Sequence, residues 1–430
     1  MSLRVLRGGT VTAAGLLLTS VLVGCGSDSP GGGDVPLLWR LDGRALAGAE
    51  KQARTASWLS GPTLAVTRAR DVTGYDAATG KARWTVALPG RVCEASALAS
   101  KGRVAVQFGP DGRERCGRIA VVDLTSGTKV WERPISSAAA VPKGQVVIGG
   151  DAVVVRTRLG TAAYALGDGR PRWTAPSPRR RCGIEALAGG HVLVASYECG
   201  RKAGGPRHVR GLDPATGRPR WSYAVPAGQE VAGLPSAAPA VVALRPVDTS
   251  AATRLVALSA AGAPTADVPV TSRHTINCEV SDPSRCDGIV VHGDTVYTRP
   301  KAAAPNDASP VVALDVNGGR VRWSTGVHHR GELIPLGMDD TGQRLIAAQP
   351  RVIAARRGSQ PPRVAAVDVA TGRVTTLWPL AGKDDREKVG PKLSDWTDRH
   401  FARGRFVLVN TPYVEADGEV AVRAYGEGSP

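Results

Sequence analysis

Short runs of apolar residues, some alternating with polar ones and some continuous, recur along the chain. RVAVQFG at 103–109, AVVVRTR at 152–158, HVLVASYE at 191–198, AVVALRP at 240–246 and TVYTRP at 295–300 have this form. A period of two, or a brief apolar run bounded by Gly and Pro, marks half-buried or buried strands. No stretch keeps apolar residues at helical spacing, so the pattern predicts an all-β chain.

A longer period lies on top of the strands. Each apolar run is followed by Asp, two residues, Thr or a substitute, Gly, and a Trp usually four residues later. These units end at Trp84, Trp131, Trp173, Trp221, Trp323 and Trp378. The Asp carboxylate can accept from backbone N–H groups two or three residues on, closing an Asx turn. The Gly supplies the positive φ that the hairpin requires. Each unit therefore reads as a β-hairpin with a fixed turn and an indole at a fixed place on its outer strand.

The Trp residues are spaced by 47, 42, 48, 102 and 55 residues. The double gap holds Leu255 to Val270, which reads as a copy that has lost both Asp and Trp. That makes seven hairpins. PLLWRLDG near the start, with Trp39, resembles a Trp strand without a partner, and RFVLVN and EVAVRAYGEG near the end lack a following Trp strand. Joining the two ends completes a last blade and removes exposed sheet edges. The expectation is an eight-bladed β-propeller of four-stranded antiparallel blades over 36–430, closed by the N-terminal strand, with seven blades as the alternative.

The Ala-x-Asp-x-x-Thr-Gly-x-x-x-Trp pattern resembles the tryptophan-docking repeat of PQQ-like (quinoprotein-like) β-propellers, and the resemblance covers essentially all of 36–430. It implies that Trp39, Trp84, Trp131, Trp173, Trp221, Trp323 and Trp378 pack between neighbouring blades. Trp58 and Trp396 lie outside the motif and receive no role. Such a motif identifies a fold and leaves function open.

The first residues carry different information. Arg4 and Arg7 precede a mostly apolar segment, Val11 to Val23, which is too short to span a bilayer. Leu22-Val23-Gly24-Cys25 then resembles a bacterial lipobox. The expectation is a lipoprotein signal peptide at 1–24, a diacylglyceryl (palmitate-bearing) Cys25, and a flexible Gly- and Ser-rich tether to residue 35. Two acyl chains suffice for stable anchoring where one is marginal. The protein is then expected on the extracytoplasmic face of the cell membrane.

Composition sharpens this picture. With 52 Gly and 31 Pro among 430 residues, many turns are required. The net charge is +17, yet the Arg residues are scattered except for Arg179-Arg180-Arg181, with no interleaved aromatic residues. A nucleic-acid platform needs that interleaving, so no nucleic-acid partner is assigned. Six cysteines remain in an exported chain, an even number that points to disulfides. Six allow fifteen connectivities, and spacing alone chooses none. On the expected fold each neighbouring pair falls within one blade, giving Cys93–Cys116, Cys182–Cys199 and Cys278–Cys286. No CxxC occurs and no His lies at ligand spacing from these cysteines, so no metal site is assigned.

Catalytic members of the resembling family hold pyrroloquinoline quinone with Ca²⁺ and use an Asp base and often a disulfide between adjacent cysteines. None of these can be placed here. Asp339-Asp340 and Asp384-Asp385 read as solvated loop residues, and so does the His328-His329 pair. No P-loop, GxSxG, HExxH or dinucleotide fingerprint is present. No catalytic, cofactor or metal residue is assigned. The expected role is a non-catalytic binding, scaffolding or sensing module for a protein or cell-envelope ligand, and the alternative is a PQQ- and Ca²⁺-dependent dehydrogenase. By resemblance, lipid-anchored relatives include a component of the outer-membrane barrel assembly machinery.

Overall fold

A computed structural model describes residues 36–426 except 49–51, 111–115, 136–144, 158–159, 177–181, 201–204, 250, 271–275, 279–285, 300–308, 327–331, 350–351, 355–357, 361–362, 380–396, 411–412 and 416–419. The body is an eight-bladed β-propeller of four-stranded antiparallel sheets. Blades one to seven run over 57–87, 91–134, 145–176, 182–224, 229–269, 289–324 and 334–379. The eighth takes three strands from the end of the chain, Thr397–Ala402, Arg405–Asn410 and Val420–Gly426, and its outer strand, Leu37–Asp42, from the start. Leu37 pairs with Tyr425 and Asp42 with Val420, so the N-terminal strand closes the ring.

The reason for closure lies in the sheet chemistry. A third strand with no fourth would leave a row of unpaired N–H and C=O groups. The core lies between blades rather than within them. Val104, Val106, Phe108 and Val122 of blade two, all fully buried, pack with Trp58, Ala65 and Val72 of blade one. Each large apolar side chain buried in this way contributes about 1.5–3 kcal/mol. The middle strands are therefore apolar on both faces, as in Ile119 to Val122, whereas outer strands such as Pro219–Ala224 are mostly exposed.

Because strand direction alternates, the turns joining first to second and third to fourth strands all leave one side of the disc. This is the turn face. The connections from second to third strand, and from blade to blade, leave the opposite loop face. A short helix, Gly43–Ala47, follows the closing strand, with Asp42 accepting from Ala45 N at 2.8 Å as its cap. Three two-stranded ladders decorate the ring, among them Asn277–Cys278 with Cys286–Asp287.

Candidate functional site

On the turn face most repeat units form the same device, with Ala165 standing at the Asp position in blade three. Asp76, Asp213 and Asp368 each accept from the backbone N–H groups two and three residues on, at 2.8–3.1 Å. The following Gly then turns with φ near +70°. A Cβ on Gly80, Gly127, Gly169, Gly217, Gly262 or Gly372 would strike the indole of Trp39, Trp84, Trp131, Trp173, Trp221 or Trp323 respectively, at 2.2–2.7 Å. Each indole thus lies on the turn glycine of the next blade. Four also donate through Nε1 to the carbonyl three residues before that glycine: Trp39 to Ala77, Trp131 to Leu166, Trp173 to Pro214 and Trp323 to Val369, at 2.7–3.1 Å. Trp84 docks in the same slot, but its buried Nε1 has no acceptor.

Two junctions depart from this pattern. In blade five Ala266 stands at the Trp register, opposite Ala257, and Ser259 replaces the turn Asp, accepting from Ala261 N and Ala263 N. Val268 fills the space over Gly319. At the end of blade seven the indole is displaced. Trp378 stands six residues after its turn glycine and pairs with Val364, whereas the other units place Trp four residues after. The blade-eight hairpin that would receive it does not exist, because the third and fourth strands there are the two ends of the chain. Trp378 instead stacks on Phe401 of blade eight, with ring centroids 5.8 Å apart and planes 14° apart. Trp378 thus packs between blades seven and eight, but on an aromatic ring rather than on a turn glycine.

The three cysteine pairs 93–116, 182–199 and 278–286 are disulfide-bonded, all toward the loop face. The last does not lie inside a four-stranded blade as expected. It staples the connection between blades five and six, against Gly233 of blade five. Trp58, without a role in the sequence, is buried on the first strand of blade one and donates to Ser96 O of blade two at 2.8 Å. Cys25 with the whole of 1–35, Arg179 to Arg181, His328-His329, Asp384-Asp385 and Trp396 lie outside the described residues.

Among the described residues a cluster of charges sits on the loop face between blades four and five. Arg207 donates to Glu198 at 2.9 Å and lies 3.5 Å from Glu230 and 4.0 Å from Glu185. Arg245 donates to Glu230 at 2.6 Å. Burial, then hydrogen bonding to Glu198 and its charge, push the Glu185 carboxyl up to about 7 against the pull of Arg207. Burial beside another carboxylate thus favours the neutral form of Glu185. Further along the ring Asp287, on the strand entering blade six, is ion-paired with Arg399 of blade eight. None of these contacts is legible in sequence: Arg207–Glu230 and Asp287–Arg399 join different blades, and the others join strands of one blade whose register sets which side chains meet.

This donor set does not suit a quinone with Ca²⁺, which needs carboxylates free to ligate a hard cation. Glu198, Glu230 and Asp287 are engaged by guanidinium groups, and burial disfavours the ionised form of Glu185. No group of three or more His, Cys, Asp or Glu among the described residues could hold a metal. Asp339 closes a local turn, accepting from Thr341 Oγ1 at 2.8 Å.

Two large depressions adjoin each other on the turn face. One of about 780 Å³ spans the first-to-second-strand turns of blades two to five, with Leu98, Lys101, Leu234 and Val291 in its wall. The other, of about 580 Å³, lies over the turns of blade five, beside Trp221 and Asn317. They share His191, Ala237 and Ala238.

The family described as outer membrane protein assembly factor BamB matches residues 32–114 and 115–299. Among curated sequences none matches significantly. In three dimensions the chain is similar to BamB from Moraxella catarrhalis, with TM-score 0.50 and 15% identity over 92% of this chain and 99% of that one. It is similar also to the quinohemoprotein alcohol dehydrogenase ADHIIG from Pseudomonas putida HK5, with TM-score 0.51 and 12% identity over 93% and 77%. The quinohemoprotein alcohol dehydrogenase from Comamonas testosteroni gives 0.50 and 13% over 92% and 77%. At such identities these likenesses speak for the fold alone. The repeat, the ring and the family match together place this chain in the PQQ-like β-propeller family of the outer membrane protein assembly factor BamB.

Proposed function

We propose that the chain is a lipid-anchored, extracytoplasmic propeller that binds a protein or cell-envelope partner and catalyses no reaction. One observation carries this reading. The carboxylates that a cofactor-bound metal would need on the loop face are instead engaged by Arg207, Arg245 and Arg399. The repeat residues are likewise committed to docking blade on blade, which builds a rigid platform. The name of the matching family, an assembly factor, supports a scaffolding role. Cys25 with 1–24 as signal peptide and 25–35 as tether supplies the anchor in this reading, and 36–430 the platform.

Incubating the purified full chain with pyrroloquinoline quinone and Ca²⁺ tests the catalytic side. No retained chromophore and no dye-linked alcohol oxidation are expected. Stoichiometric quinone binding would overturn the proposal in favour of a dehydrogenase.

A further inference from the structure

We propose that the turn face of the propeller docks on an anionic lipid bilayer, leaving the loop face to meet partners. The inference rests on the reading of Cys25 as the anchor. It starts from where the chain enters the fold. Pro36 O accepts from Gly426 N at 3.3 Å, Leu37 pairs with Tyr425, and Gly426 stands opposite Arg405, beside the Arg403-Gly404 turn. The chain therefore enters the propeller at the turn face. Ten tether residues reach about 16–19 Å, so that face is held within about two Debye lengths of the surface.

The charge on this face matches such a partner. Lys81, Arg218, Arg320 and Arg373 directly follow the turn glycines of blades one, four, six and seven. They are exposed and make no ion pair among the described residues. The turn aspartates beside them point back into their own turns, where backbone N–H groups hold them. Lys101 and Arg403 add two exposed cations at first-to-second-strand turns, and their φ values are +51° and +53°. Asn, Asp or Gly normally occupies such positions, and a long basic side chain there is strained. Leu98 and Val192, exposed at 55% and 37%, stand at the same turns of blades two and four. Cations set around exposed apolar residues suit phosphate headgroups and the acyl boundary beneath them. The three disulfides all lie toward the other face.

The test uses the full lipidated chain reconstituted into vesicles of phosphatidylcholine with phosphatidylglycerol. A fluorophore is placed at Ala370→Cys on the turn face or at Ala227→Cys on the loop face, and is quenched by headgroup spin-labelled lipid. Quenching is expected at 370 and not at 227. It should be lost in pure phosphatidylcholine, and in a K81E/R218E/R320E/R373E chain that stays vesicle-bound. A milder chain with Gln at the same four positions covers the case in which charge reversal disturbs folding, and should lose part of the quenching. Equal quenching at both sites, stronger quenching at 227, or quenching at 370 that ignores lipid charge would overturn the orientation alone. Protein that stays out of the vesicles altogether would overturn the anchor, and with it the inference.

Discussion

Thr265 Oγ1 donates to the carbonyl of Val316 at 2.6 Å. This is the carbonyl position, three residues before the turn glycine, that indole Nε1 groups reach at four other blade junctions. Blade five has Ala266 where six other blades have Trp, and a neighbouring threonine supplies the missing donor. The docking slot thus keeps its hydrogen bond while losing its aromatic filling.

That separation can be measured. Thr265→Val should destabilise by about 1 kcal/mol, the net value of one hydrogen bond. Trp323→Ala should cost more, up to about 3–5 kcal/mol, because it also removes a large, partly buried side chain. Urea denaturation of both variants gives the comparison. Equal losses would show that the ring is held by the hydrogen bonds rather than by indole packing.

The turn glycines make a second comparison. Gly217 has φ +69° and a Cβ there would meet Trp173 at 2.6 Å, whereas Gly61 has φ +55° and open space around it. Ala at either position carries the left-handed penalty of about 1–2 kcal/mol. Only Gly217→Ala must also displace an indole. Its melting temperature should fall well below that of Gly61→Ala, and matched values would contradict the docking account.

Stability should depend on pH through the loop-face cluster. The Glu185 carboxyl titrates near 7 in the folded ring, against an ordinary value of 4.5. The folded state therefore binds this proton more tightly than the unfolded chain. Its contribution falls as pH rises from about 4.5 to 7, and the penalty is complete above 7. Glu185→Gln should raise the melting temperature at pH 8 and leave it nearly unchanged at pH 4.5. Asp213 works with the opposite sign. Arg220 and the Thr216 N–H hold it at about 2, so its contribution is present at neutral pH and is lost on acidification. A Glu185→Gln difference that is constant with pH would show that the group is not the one titrating.

Ring closure predicts a further outcome. Deleting residues 36–43 removes the strand that pairs with Val420–Gly426 and the indole seated on Gly80. The truncated chain should melt far below the full one in circular dichroism. An unchanged melting curve would mean that blade eight does not need its fourth strand.

The ring was legible in sequence because its rules are local. An Asp, a Thr and a positive-φ Gly within five residues specify a turn without reference to the rest of the chain. Trp39 without a hairpin was enough to expose the closure. The displaced Trp378 was less legible, since two extra residues in its outer strand shift register, and only the absence of a receiving turn in blade eight shows where the indole goes. The stand-in role of Thr265 had no sequence signal, because Thr is common in strands. Arg207 with Glu185, Glu198 and Glu230 was beyond reach for another reason. These residues come from strands of two blades, and their meeting depends on the stagger between sheets.

The anchor at Cys25 is the claim on which the proposed role rests, and metabolic labelling with a palmitate analogue followed by membrane fractionation tests it most directly. The wild-type chain should be labelled and sediment with membranes, while Cys25→Ser should be unlabelled and released from the membrane fraction. A labelled Cys25→Ser chain, or one retained in the membrane as fully as the wild type, would contradict the account.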